Sequence, residues 1–333
     1  MMREIFLNFG KQFLLEKEGE KIGKKLKRKI KNVLFCGMGG SGLPGRLLIE
    51  ILKENPEIKK KEINFSFWQD YFLPKNLKRD TLLITTSYSG NTEETISNFL
   101  EGKKRNFEIV ALSSGGKLED LAKKEKKPFL KIPSGFPPRC ALGYLFSSIV
   151  GLLVGKGILK KNFGKEVFLL KEKLQPKIFE KKGKDLAKKF FQKIPLIYST
   201  SRFKETARII KIKINENAKL PCFFNIFPEL CHNEMTGIGE AKDENFRKIF
   251  KVFCLLDKKD FSQNKKRIKI FKKIFEKRKI EVEIFEIIGE TFLEKVFNTA
   301  LLGDWFSFYL AKLQEIDPVP VKLVEEFKEL LKK

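Results

Sequence analysis

One local pattern recurs along the chain and narrows the folds open to it: a short apolar run, a turn rich in glycine and hydroxyl residues, then a helical run. Asn32–Cys36 leads into Gly37-Met38-Gly39-Gly40-Ser41-Gly42 and a helical stretch through Leu52. Thr81–Thr85 leads into TSYSGNTEET, Thr86 to Thr95, with a helical pattern from Ile96. Phe107–Leu112 leads into Ser113-Ser114-Gly115-Gly116, and Asn64–Trp68 is a further strand-like run. Apolar runs this short, bounded by turn residues, read as buried strands. Strands alternating with helices predict an α/β fold with a doubly wound, mainly parallel sheet flanked by helices. Parallel strands open their following loops at one sheet edge, so Ser41 and the Ser87–Thr92 loop can converge on one crevice.

Those loops suit an anion. The first N–H groups of a helix lack intrahelical partners, and the macrodipole adds partial positive charge there. Ser87, Ser89, Asn91 and Thr92 could add side-chain donors, and Gly90 lets backbone approach closely. Asn91 followed by Glu94 resembles a capping box, which starts the helix near Thr92. The same residue types also make ordinary capped turns, so the loop alone leaves both readings open. The glycine turn at residues 37–42 departs from the dinucleotide fingerprint in spacing, and no acidic residue completes a ribose site.

The second half repeats the style. A Lys-rich helical region over roughly 163–192 precedes a strand at Pro195–Thr200. A helix from about Phe203 carries Glu205 and leads to Ile214-Asn215-Glu216-Asn217. Strands are expected at Lys251–Leu256 and Glu281–Glu286, and helices at Phe292–Leu313 and Leu323–Leu331, the last after Asp317-Pro318-Val319-Pro320. Pro133 to Pro138 opens a loop into a helix from about Arg139. Two α/β subdomains are expected, 1–155 and 156–333, in a chain whose 333 residues and 42% apolar content support a large core.

Lys+Arg minus Asp+Glu is 68 − 42 = +26, which raises the question of nucleic acid. The lysines are spread along the chain, 33 Phe against 5 Tyr points to biased codon usage, and no nucleic-acid motif is present. The densest basic stretch, Lys21 to Lys31, reads as one solvated helix face. A weak, salt-sensitive attraction to polyanions is expected, without a specific nucleic-acid partner. Five cysteines at scattered positions, with no C-x-x-C pair, read as reduced thiols of a cytoplasmic protein. Cys222, Cys231 and His232 lack a fourth ligand and the spacing of a standard zinc site. The N-terminus carries no apolar signal segment. The uncharged run Cys140–Gly155 is shorter than the roughly 20 residues that span a bilayer, so it reads as a buried helix and a candidate subunit interface, with no membrane partner.

Three residues stand out for chemistry. His232 is the single histidine, and an imidazole suits acid–base work near neutrality. Glu216, in Asn215-Glu216-Asn217-Ala218-Lys219, could be a base or a helix cap. Arg139, after two prolines, could neutralise charge in a crevice or serve structure alone.

GMGGSG, TSYSGNTEET, LSSGGKLEDLA, PPRCALGY, NENAK, PELCHNE and DPVPVKLVEEFK occur in this order from about residue 30 to 330. Together they resemble the bifunctional phosphoglucose/phosphomannose isomerases, two-domain proteins of the sugar isomerase (SIS) fold. The resemblance implies an enzyme interconverting glucose 6-phosphate and mannose 6-phosphate with fructose 6-phosphate through a cis-enediol, without cofactor or metal. It implies that Gly40, Ser41, Ser87, Ser89 and Thr92 hold the sugar 6-phosphate and that Glu216 moves a proton between C1 and C2. Arg139 would stabilise the enediolate. His232 would assist ring opening from the other subunit of a homodimer. Lys328 would help at the ring oxygen, with Lys322 and Lys312 as nearby alternatives. The chain departs from the family pattern at Val319, where the proline-flanked motif usually has threonine, which bears on the glucose/mannose balance. Cys231 stands where asparagine is frequent, and Pro44 and Arg46 alter the residues after the first glycine turn. The alternative is a sugar-phosphate sensor without catalysis; Glu216, Arg139 and His232 together favour the enzyme.

Overall fold

A computed structural model describes residues 1–60 and 62–331. They form two compact units, one built from Asn8–Leu174 with Phe292–Glu294, the other from Met1–Leu7, Gln175–Thr291 and the chain from Lys295 on. The sequence reading puts the junction within 155–190, with the cut drawn at 155. In the structure the helix Lys161–Lys173 stays with the first unit, because Phe163, Val167 and Leu170 are buried there against the turn Phe9–Leu15 and the helix Leu142–Gly155.

The first unit holds β1 (Asn32–Cys36), β2 (Asn64–Trp68), β3 (Thr81–Thr86), β4 (Glu108–Ser113) and β5 (Phe129–Lys131). All pair in parallel, in the order β2-β1-β3-β4-β5. The central strands are buried on both faces, as helices on both sides of a parallel sheet require. β5 has three residues and ends on an exposed lysine, too little pattern for a sequence reading to register.

The second unit holds β6 (Ile194–Thr200), β7 (Phe223–Phe227), β8 (Phe250–Leu256) and β9 (Glu281–Glu286), again parallel, in the order β7-β6-β8-β9. β7 is the second strand without a sequence expectation. It is an edge strand interrupted by Asn225, with Phe223 53% exposed, so its apolar signal is broken.

The Lys-rich region over 163–192 is helical as expected, divided at Pro176 into two helices, Lys161–Lys173 and Pro176–Phe190. Pro176 cannot continue the first helix but fits the first turn of the second. The stretch Lys21 to Lys31 is not one helical face. The helix Glu16–Lys25 stops, and Leu26 turns extended so that it and Ile30 can be buried ahead of β1. The apolar run Cys140–Gly155 finds its partner within its own unit. The helix Leu142–Gly155 packs on Glu16–Lys25 through facing glycines: a Cβ at Gly151 would lie 1.8 Å from the Glu16 carbonyl, and one at Gly23 would lie 2.1 Å from that of Leu152. No helix of the described residues is long and apolar enough to cross a membrane.

Candidate active site

In the first sheet the strand order reverses between β1 and β3, with Cys36 opposite Thr85. A crevice opens beyond the carboxyl ends of the strands at such a switch point. Two helices begin on this edge, Gly39–Glu54 after β1 and Glu93–Lys104 after β3, and each presents an N-terminus to it. Gly39 has φ +48°, the left-handed conformation that turns the chain from strand into helix. Ser41 lies in the first turn, and its hydroxyl oxygen accepts from the Tyr88 N–H at 2.9 Å. That bond ties the glycine turn to the loop after β3.

The loop itself is folded around Ser87, which is fully buried. Its hydroxyl lies 2.8 Å from that of Thr92 and accepts from the N–H groups of Gly90 (3.1 Å) and Thr92 (3.4 Å). Ser89 is exposed and Thr92 half-buried, so they form the accessible part of the cradle. Asn91 is not the helix cap that its spacing to Glu94 suggests. The cap position is Thr92, and Asn91 Oδ1 accepts from Lys117 N–H at 3.0 Å, bridging to the loop after β4. Tyr88, which the sequence reading passed over, locks the loop from below. Its hydroxyl donates to the Pro133 carbonyl at 2.9 Å and accepts from Phe136 N–H at 3.0 Å. Burial pushes this phenol's pKa up, partly offset by the Phe136 bond.

Arg139 sits in the tight turn Pro138–Cys140 ahead of the helix Leu142–Gly155, and is 2% exposed. Its backbone abuts the glycine turn: a Cβ on Gly40 would lie 3.0 Å from Arg139 N. Gln12 holds the following residues, donating to the Cys140 carbonyl at 2.7 Å and accepting from Gly143 N–H at 2.9 Å. The structure thus brings Gly40, Ser41, Ser87, Ser89, Thr92 and the Arg139 turn to one edge of the first sheet.

In the second unit, Glu216 lies in a π-helical turn, Ile214–Ala218, that ends the helix Lys204–Lys213. Such turns are rare and concentrate at functional sites. Both flanking asparagines are held by hydrogen bonds. Buried Asn217 donates to Ser307 Oγ at 2.8 Å, and Asn215 donates to the Leu220 carbonyl at 2.8 Å. The half-buried Glu216 lines a cleft of about 680 Å³ together with Asn215, Lys219, Asp317, Pro320 and Lys322. Val319 is flanked by two of these residues, and its N–H donates to Asp317 Oδ1 at 2.9 Å.

His232 and Lys328 are not among the residues lining that cleft. His232 is exposed at the end of the turn Glu229–His232. The segment is anchored next to it by Glu234, which accepts from Tyr198 Oη at 2.5 Å and from Asn225 Nδ2. Lys328 is exposed on the helix Lys322–Leu331; of the three lysine candidates, Lys322 alone lines the cleft. Lys312 lies with its ammonium 5.8 Å from the Phe308 ring centroid.

The second sheet has its own reversal, between β6 and β8, and there the chain's own ions fill the edge. Asp257 meets Lys295 at 2.6 Å and Arg202 at 2.9 Å, while Asp260 accepts from Thr200 Oγ1 at 2.6 Å and from Asp257 N–H at 2.8 Å. Burial works to raise the Asp257 carboxyl, but Lys295 and Arg202 outweigh it and hold the pKa down. Asp260, where burial dominates, is raised. Among the described residues, no group of three or more His, Cys, Asp or Glu is placed to hold a metal ion. All five cysteines are free thiols.

Two parallel sheets, a hydroxyl cradle at one switch point and a carboxylate on a π turn define a protein of the sugar isomerase fold. A sequence model of the bacterial phospho-glucose isomerase C-terminal SIS domain matches residues 179–331. A bifunctional phosphoglucose/phosphomannose isomerase of Aquifex aeolicus is 38% identical over 95% of this chain and 95% of its own length. One from Caldicellulosiruptor bescii is 35% identical over 93% of this chain and 94% of its own. Among solved structures, a hypothetical protein from Thermus thermophilus shares the fold, with TM-score 0.72 at 14% identity over 99% of this chain and 90% of that one. The chain belongs to the bifunctional phosphoglucose/phosphomannose isomerase family.

Proposed function

We propose that this isomerase interconverts glucose 6-phosphate and mannose 6-phosphate with fructose 6-phosphate through a cis-enediol. The observation that carries the reading is the loop Ser87–Thr92, folded on its own hydroxyls at the switch point of the first sheet and tied to Ser41. Gly40, Ser41, Ser89 and Thr92 take the 6-phosphate, with Ser87 holding the loop from within. Binding energy gathered at the phosphate, remote from the reacting carbons, positions C1 and C2 against the base.

Glu216 removes the proton from C2 of the aldose and delivers it to C1, and reverses the step in the other direction. Arg139 meets the negative charge that develops on the enediolate oxygens. The planar enediol has lost its C2 stereocentre, so return of the proton to one face gives the glucose and to the other the mannose epimer. His232 opens the pyranose ring from the partner subunit of a homodimer, a role supported by its exposure and its absence from the Glu216 cleft. At the ring oxygen the resemblance points to Lys328 and the cleft to Lys322; slower ring opening in Lys322→Ala than in Lys328→Ala would decide for the latter reading. The free thiols support a cytoplasmic location.

A proton NMR time course with fructose 6-phosphate in D₂O tests the whole. Expected are both aldose 6-phosphates, each with deuterium at C2. Glucose 6-phosphate alone would assign the loss of the second epimer to Val319, where the threonine hydroxyl is missing. No product, with the ester still bound, would leave a sensor.

A further inference from the structure

Lys219 closes the turn that carries Glu216, in the left-handed conformation (φ 51°, ψ 34°) that residues with a Cβ seldom adopt. Its ammonium reaches four backbone carbonyls. Two belong to the turn, Glu216 at 2.8 Å and Asn217 at 3.4 Å, and two to the proline-flanked segment after the helix Phe292–Leu313, Asp317 at 3.1 Å and Pro318 at 3.2 Å. An ammonium has three N–H groups, so four carbonyls saturate it.

Two ordinary roles fail to account for this. A lysine capping a helix C-terminus needs only that helix's last carbonyls, whereas Asp317 and Pro318 lie on another segment. A lysine acting in proton transfer needs a donor free to move, and these are committed to backbone. What remains is a strap between the base-bearing turn and the segment that forms the other wall of its cleft. Gln314 reinforces it, donating to the Ala218 carbonyl at 3.2 Å.

We propose that Lys219 is the positioning residue for Glu216: by fastening the Glu216 carbonyl to the Asp317–Pro318 backbone, it sets where the carboxylate stands. The inference rests on Glu216 as the base. It also gives the segment around Val319 a route to the chemistry through its backbone, independent of the side chain at that position.

The test uses the full chain as Lys219→Met, Lys219→Arg and Lys219→Gly, with Glu216→Gln in parallel. Each is assayed for kcat and KM on fructose 6-phosphate, for deuterium gained at C2 per turnover in D₂O, and for the folded fraction. A base displaced by about 1 Å loses on the order of a hundredfold in rate. Lys219→Met is therefore expected to lower kcat about ten- to a hundredfold per folded molecule, with KM within about twofold, because the phosphate cradle is on other elements. Deuterium gained per turnover should rise, since a loosened carboxylic acid exchanges with solvent before returning its proton. Lys219→Arg should recover part of the rate. Lys219→Gly, which removes the ammonium but relieves the backbone, covers the case in which Lys219→Met does not fold. A kcat per folded molecule equal to wild type in Lys219→Met or Lys219→Gly, with Glu216→Gln inactive, would overturn the inference alone. Turnover surviving in Glu216→Gln would overturn the base assignment instead.

Discussion

Gly90 shows how tightly single residues constrain the cradle. It has φ +73°, and a Cβ there would stand 1.8 Å from the Gly115 carbonyl oxygen. Its N–H donates to Ser87 Oγ at 3.1 Å, and its carbonyl accepts from Leu118 N–H at 2.8 Å. Gly90→Ala must therefore move either the loop after β3 or the one after β4. We expect a loss of about 1–3 kcal/mol in stability from the overpacking and a KM for fructose 6-phosphate raised at least about tenfold, as displaced donors miss the phosphate. Ser89→Ala, on the exposed side of the same loop, should raise KM while leaving stability within about 0.5 kcal/mol of wild type. Thermal melts and initial-rate kinetics on the pair check both. Equal melting temperatures for Gly90→Ala and wild type would mean that the loops are looser than their contacts imply.

Among elements, the two switch points differ in what fills them. The first is lined by hydroxyls and helix N-termini, the second by Asp257, Asp260, Arg202 and Lys295. Removing one member of a buried ion pair strands the other, at a cost of about 3–5 kcal/mol, so Lys295→Met should melt far below wild type at neutral pH. Because the folded Asp257 pKa lies below its ordinary value of 3.8, its contribution is present above that value and fades as pH falls through the lower, folded one. Asp257→Asn should thus be destabilised at pH 7, with the gap to wild type beginning to close as pH falls below the ordinary value of 3.8 and closed only beneath the lower, folded pKa, a trend that urea titrations across pH would show. A gap that stayed constant with pH would mean that the pair contributes through packing alone. The sequence carried the elements where pattern was strong: β1, β2 and β9 were legible to the residue, because short apolar runs between turn residues leave little choice. It failed where pairing, not pattern, makes a strand, at β5 and β7; the Lys-rich region was carried as helix, without its division at Pro176. The residues proposed for the site, the loop hydroxyls and Glu216, were singled out in the sequence by type. The ties that hold them were not: Tyr88 acts through its backbone and a distant carbonyl, and Lys219 stood in a quoted motif, but two of its four partners, Asp317 and Pro318, lie 98 and 99 residues on.

For the whole molecule, the assignment of His232 to a partner's site makes a quantitative demand. Glu216 and His232 both belong to the unit that includes Gln175–Thr291, yet the cleft at Glu216 is lined without His232, and the histidine stands exposed on a segment pinned by Glu234 to Tyr198 and Asn225. Burial, then the Glu234 charge, keeps that Tyr198 phenol protonated, so the anchor holds across the working pH range and the histidine is presented on a fixed support. In a two-fold symmetric dimer each site would then take Glu216 from one chain and His232 from the other. Glu216→Gln and His232→Ala dimers would each be impaired at both sites. A mixed dimer would instead carry both lesions in one site and neither in the other. Unfolding an equal mixture and refolding it together gives half mixed dimers, so activity should return to about one quarter of wild type on the cyclic substrate. If each chain supplied both residues to its own site, every site would keep one lesion and co-refolding would restore nothing. The open-chain substrate separates the roles within the same experiment: His232→Ala dimers should turn it over nearly as fast as wild type, because the ring step is bypassed, while Glu216→Gln dimers should remain inactive on it.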